Sequence, residues 1–206
     1  MKFKAVIFDF GNVIINIEFQ RIYETFAKLT SKPIAYIEKR ITEEQIFRRY
    51  ESGQFTDEEF REIIRQTLSF PLSDKEVDTA WNAILLDIPT ERIDLIKNIR
   101  KKYPVYLLSN TNNIHITASN NYLNEAHGIK NLNVLFDKLY LSYEMGMWKP
   151  DTEIYYEVLR SINLEPNQVI FFDDNLQNIE SAKAIGMQTI LVEPTTSIVE
   201  YSKNIF

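Results

Sequence analysis

The chain is 206 residues long, 45% hydrophobic and 25% charged, with a formal net charge of −6. That length suits one core domain carrying a smaller inserted one, and the acidic balance argues against a nucleic-acid partner. There is no cysteine, which excludes disulfides, thiolate catalysis and cysteine-ligated zinc, and the two histidines, His115 and His127, lack metal-ligand spacing.

The first element is a strand over Ala5–Phe8, an apolar run closed by Asp9. It is interrupted too soon to read as a secretion signal, and no apolar stretch nears the ~18 to 20 residues of a membrane span, so a cytoplasmic protein is expected. From about Ile17 to Ile88 no strand pattern occurs. Helical segments follow one another instead, punctuated at Pro33, Gly53 and Pro71. Thr42 with Gln45, Thr56 with Glu59 and Ser73 with Glu76 each have the form of a capping box.

After this stretch, strands and helices alternate. Strands are expected at Val105–Leu108, Lys138–Leu141, Val169–Phe172 and Thr189–Val192. Helices are expected at Glu91–Lys101, Ile114–Glu125, Asp151–Ile162 and Leu176–Ile185. Such alternation predicts an α/β fold with a doubly wound, mainly parallel sheet and right-handed crossovers. The helical stretch is then an insertion: residues 1–16 and 89–206 form the core domain and residues 17–88 an all-helical domain. The tail from Thr195 to Phe206 reads as a docking helix or a subunit contact, and nothing in it specifies an oligomeric state.

Polar residues directly follow apolar runs at four places: Asp9 to Asn12, Ser109 to Thr111, Gly146 to Pro150, and Asp173 to Asn175. In a parallel sheet the site lies at the carboxyl ends of the strands, so Asp9, Asp173 and Asp174 should crowd together. Three carboxylates need a cation to offset their repulsion, and all-oxygen ligation favours Mg²⁺ over Ca²⁺ or Zn²⁺. Ser109 and Asn110, where a helix is expected to begin, and Lys149 suit a phosphate. Together these match what phosphoryl transfer needs: a nucleophilic carboxylate, Mg²⁺, a fixed cation and hydrogen-bond donors around the phosphoryl oxygens. Taken singly, each has a plainer reading: Asp9 as a turn residue, Ser109-Asn110 as a helix cap, Lys149-Pro150 as a helix start, Asp173-Asp174 as a turn.

As a set, Asp9-Phe-Gly-Asn12, Ser109-Asn110, Phe136 to Pro150 with Glu153-Ile-Tyr155, and Phe172-Asp-Asp-Asn175 with Asn178 and Ala182 resemble the motifs of the haloacid dehalogenase superfamily. The helical insertion lies at the place of that superfamily's type-1 cap. The forms around Asp9 and Leu108-Ser-Asn-Thr-Asn112 are similar to those of bacterial glucose-1-phosphate phosphatases. The resemblance implies a Rossmann-like core and a Mg²⁺-dependent phosphatase of a small phosphorylated metabolite, in which Asp9 attacks phosphorus and becomes an aspartyl-phosphate. Mg²⁺ would be held by Asp9, the Gly11 carbonyl and Asp174, with Asp173 a further ligand or an orienting group. Ser109, Asn110 and Lys149 would hold the phosphoryl group, and Asn178 would orient the fourth-motif loop.

One position departs from the superfamily's pattern: Gly11 stands where most of its phosphatases have a second Asp serving as general acid and base. Losing such an acid typically costs about 10² to 10⁴ in rate. Hence the substrate has a good leaving group, as a sugar 1-phosphate does, or another residue supplies the acid, or turnover is weak; Glu18 is one conceivable substitute. Two other readings share the fold. A 2-haloacid dehalogenase also lacks the second Asp, though Gly11-Asn-Val13 does not match its usual Tyr-Gly-Thr. A non-catalytic phosphoacceptor would also carry an Asp, an acidic pair and a Lys. Within the insertion, Arg48 or Arg49 could reach a second anionic group and Tyr50 could stack on a sugar, or this segment is a solvated helix face. Trp81 is expected in the insertion's core.

Overall fold

A computed structural model describes residues 3–193, 197–203 and 205–206. Five strands form one sheet: β1 (Ala5–Phe8), β2 (Val105–Ser109), β3 (Lys138–Leu141), β4 (Val169–Asp173) and β5 (Gln188–Leu191). Their order is β3-β2-β1-β4-β5, and every pairing is parallel. β1 is central, so its side chains are buried on both faces, which is why the run lacks polar alternation. Val6 and Phe8 join one core with Leu107, Ile170 and Phe172, whereas Ala5 and Ile7 join the opposite one with Leu108 and Phe171.

The helices cover both faces. α6 (Thr90–Arg100) supplies Ile93, Ile96 and Ile99 to the first core, and α7 (Asn113–His127) supplies Leu123. α8 (Ser142–Met145) is a single turn after β3. α9 (Thr152–Ile162) and α10 (Leu176–Ala184) supply Ile154, Tyr155, Val158, Ile179 and Ala182 to the second core. The chain winds outward from β1 to β2 and β3, then crosses back to β4 and β5. The order thus reverses at β1, opening a crevice at its carboxyl end.

Between β1 and α6 come α1 (Gln20–Thr30), α2 (Ile34–Glu43), α3 (Ile46–Glu51), α4 (Asp57–Leu68) and α5 (Asp74–Asn82). They enclose a cluster of their own around Phe26, Ile41, Tyr50, Phe60 and the fully buried Trp81. The connections in and out run side by side: Asn16 and Asp87 bond through backbone N–H and carbonyl at 2.9 Å, Leu86 N–H bonds Asn16 O at 2.9 Å, and Glu18 N–H bonds Ile84 O at 2.9 Å.

The boxes at Thr56 and Ser73 form and start α4 and α5. That at Thr42 does not. Thr42 lies in the last turn of α2, and Gln45 sits in the left-handed region (φ 50°) between α2 and α3, so the spacing marks a helix end there. In the tail, Thr195 lies outside the described residues. α11 (Ile198–Ser202) docks on the chain's own first core, where Phe206 meets Phe3 with ring centroids 5.6 Å apart. No helix among the described residues is long and apolar enough to cross a membrane.

Candidate active site

Register builds the site. Phe8 pairs with Phe172, and Asp9 N–H bonds Phe172 O at 2.8 Å, so Asp9 leaves β1 level with Asp173 at the end of β4. Asp174 is the next residue. One carboxylate oxygen from each of the three lies within 4.8 Å of the others. Two strand tips therefore deliver three acids to one point.

Lys149 enters from the loop between α8 and α9, after which the chain passes a cis bond to Pro150. Its side chain is 1% exposed and its Nζ donates to Asp9 Oδ1 (2.6 Å), Asp173 Oδ2 (2.7 Å) and Leu108 O (3.0 Å). Burial alone would lower the pKa of this ammonium, but the charges of Asp173 and Asp9 outweigh it and the net shift is upward. It stays protonated.

Asp173 is saturated by the protein. Its Oδ1 accepts from Asn175 N–H (2.8 Å) and its two oxygens from Asn178 Nδ2 (3.0 Å each), while Lys149 takes Oδ2 again. Such a carboxylate is built to fix Lys149 and the β4–α10 turn, and has little left to offer a metal directly. Asp174 is more open. Asn12, held at φ 54°, donates from Nδ2 to Asp174 Oδ2 at 2.8 Å and accepts Ile17 N–H at 3.3 Å. Burial pushes the Asp174 carboxyl up from its ordinary value, and Asp173 adds to this. Burial likewise pushes Asp9 up to about 7, with Lys149 opposing and Asp173 and Asp174 reinforcing. Three acids against one ammonium leave the site short of positive charge. A hard divalent cation fits that deficit and the all-oxygen donor set.

Ser109 is buried at the end of β2, and its hydroxyl lies 3.4 Å from Asn110 O. The Asn110 side chain bonds Lys149 reciprocally, Nδ2 to Lys149 O and Oδ1 from Lys149 N–H, both at 2.9 Å. That side-chain amide therefore positions Lys149. The expected helix start at Ser109-Asn110 is corrected: α7 begins at Asn113, and Asn112 caps it by accepting His115 N–H.

Asp9, Ser109, Asn110, Lys149 and Asp174 line a cavity of about 340 Å³ whose walls also include Phe10, Gly11, Phe47, Trp148 and Asn175. The expected insertion contacts fall elsewhere. Arg48 pairs with Asp151 at 3.1 Å on the surface, and Arg49 lies over Phe55. Tyr50 stacks on Phe60 and donates to Asp57, inside the insertion's core. Glu18 is exposed and outside the cavity wall. The insertion instead contributes Glu51, a buried acid that local sequence patterning did not single out.

Residues 3–186 match the family model of haloacid dehalogenase-like hydrolases. The chain is 32% identical to D-ribitol-5-phosphate phosphatase of Bacteroides thetaiotaomicron over 92% of each sequence. It is 29% identical to a sesquiterpene phosphatase of Aspergillus oryzae over 90% of this chain and 87% of that one. A solved haloacid dehalogenase family enzyme of B. thetaiotaomicron, complexed with magnesium and inorganic phosphate, superposes with a TM-score of 0.89 at 36% identity, covering 97% and 98% of the two chains. With the family match running from the first strand through the last motif, on a sheet that gathers those motifs at one crevice, the chain belongs to the haloacid dehalogenase-like hydrolases.

Proposed function

We propose that this protein is a Mg²⁺-dependent phosphatase of a small sugar or sugar-alcohol phosphate, working through an aspartyl-phosphate at Asp9. The observation that carries this reading is the meeting of Asp9, Asp173 and Asp174 around Lys149 at the mouth of β1.

Lys149 fixes the rotation of the Asp9 carboxylate through Oδ1 and is itself aimed by Asp173 and Asn110. Mg²⁺, when bound, neutralises the acidic cluster and the developing charge on the phosphoryl oxygens. Asp9, Asp174 and the Gly11 carbonyl are the residues placed to hold it, with Asn12 orienting Asp174. Asp9 attacks phosphorus, Ser109 and the Asn110 N–H grip the equatorial oxygens during transfer, and the buried charge of Lys149 beside Asp9 offsets theirs. Water then releases phosphate from Asp9.

Substrate class is supported by cavity size and lining. About 340 Å³ suits one small metabolite. Phe10, Phe47 and Trp148 offer flat apolar surface to a carbon chain, and Thr111 and Asn175 offer polar partners for hydroxyls. The relative that acts on ribitol 5-phosphate points the same way. Residues 17–88 act as the cap, hinged on the paired connections near Asn16 and Asp87. The test is phosphate release from a panel of sugar phosphates, sugar-alcohol phosphates, nucleotides and phosphoglycolate. Release should need Mg²⁺, favour the first two groups and vanish in Asp9→Asn; activity surviving that substitution would refute the assignment.

A further inference from the structure

On the phosphatase reading, on which this inference rests, expulsion of an alkoxide needs a proton, and its source must lie on the cavity wall. Lys149 commits its hydrogens to Asp9, Asp173 and Leu108 O. His115 uses Nε2 to donate to Trp81 O at 3.1 Å, and Nδ1 accepts from Asn112 Nδ2 at 3.0 Å. Asp9 and Asp174 are occupied by attack and by the metal. Glu51 is the remaining acid on that wall.

Glu51 ends α3, and the backbone there is pinned to the core. Its carbonyl accepts the Ser142 hydroxyl at 2.5 Å, and a Cβ on the following Gly53, held at φ +74°, would run into the Tyr143 carbonyl. The side chain is buried, and its one hydrogen bond, from Asn112 Nδ2 at 3.5 Å, is long. Among the described residues no cation pairs with it. It is therefore an acid from the insertion on the wall of the same cavity as Asp9, near enough for the two charges to interact.

We propose that Glu51 is the general acid and base of this enzyme. As the Asp9 oxygen bonds to phosphorus, the phosphorus–oxygen bond to the substrate breaks, and its electron pair takes the Glu51 proton to give the free alcohol. In the second step water bonds to phosphorus and gives its proton to the Glu51 carboxylate. The Asp9–phosphorus bond breaks, restoring both side chains and releasing inorganic phosphate. Burial supports the assignment by pushing this carboxyl up to about 8; the Asn112 bond and Lys149 oppose the rise and Asp9 adds to it. The charged groups facing it are Asp9 and Lys149, with neutral His115 beyond Asn112.

The test is Glu51→Gln, assayed on the panel member turned over fastest and on p-nitrophenyl phosphate, whose leaving group needs no proton. On the alkyl ester, kcat should fall about 10²- to 10⁴-fold with KM little changed. On the aryl ester, one equivalent of p-nitrophenolate should appear at near the wild-type rate, followed by slow turnover. Wild-type kcat on the alkyl ester, or an aryl burst slowed as much as alkyl turnover, overturns the proposal. Should the variant not fold, the wild-type protein decides. Its kcat/KM for the alkyl ester must fall on the basic side while the single-turnover rate of p-nitrophenolate release does not; parallel profiles reject Glu51. Release of p-nitrophenolate absent from wild type, or retained in Asp9→Asn, would instead reject the phosphatase reading itself.

Discussion

Lys149 spends its three hydrogens on two carboxylates and a carbonyl, a geometry that no single residue in the sequence specifies. The acids were legible because each follows an apolar run directly, and a parallel sheet brings such tips to one rim. What could not be read was which atoms meet. Asn110 aims its side chain at the Lys149 backbone, and Asp173 supports Lys149 more than it serves a metal. Asn12 shows the same limit: its neighbour across the site, Asp174, lies far along the chain, so the 2.8 Å bond exists only in the fold. Because that bond orients the most open carboxylate, Asn12→Ala should raise the Mg²⁺ concentration for half-maximal activity by about 10- to 100-fold. The KM for substrate should hardly move. An unchanged Mg²⁺ dependence would show that Asp174 needs no such support.

Among the elements, the strands were the most legible. β1 and β3 match the expected bounds, because short apolar runs bounded by polar residues leave little choice. The capping boxes were legible where the helix they start is amphipathic against the insertion's core, as with Phe60 and Ile64 in α4. At Thr42 the same four-residue spacing runs off the end of α2, whose packing through Ile37 and Ile41 overrides it. Removing a working cap costs about 1 kcal/mol. Thr56→Ala and Ser73→Ala should each destabilise by roughly that amount in urea unfolding, and Thr42→Ala should not. Equal losses at all three sites would contradict the assignment. Glu51, Arg48 and Tyr50 lie within four residues of one another in a polar stretch. Their separate fates depend on how α3 packs against α8, which no local pattern encodes.

Across the molecule, the insertion and core meet at His115, a neutral imidazole between Trp81 and Asn112. Burial pulls its pKa from the ordinary 6.5 down to about 4, with the Trp81 carbonyl opposing. Between those values the unfolded chain binds the extra proton and the folded chain does not. Stability from this group is thus full above pH 6.5 and is lost as pH falls through about 4, a loss of about 3 kcal/mol. Denaturation series from pH 7 to pH 4 should show that decline, and His115→Gln should flatten it; an unaltered slope would place the acid sensitivity elsewhere.

If Asp9 carries the phosphoryl group during turnover, that group can be trapped on it. The protein is mixed with Mg²⁺ and its preferred substrate, quenched in acid during turnover, reduced with borohydride and mapped by mass spectrometry. Modification is predicted on the peptide holding Asp9, only with Mg²⁺ and substrate together. Recovery of the label on any other side chain, with phosphate release undiminished in Asp9→Asn, would contradict it.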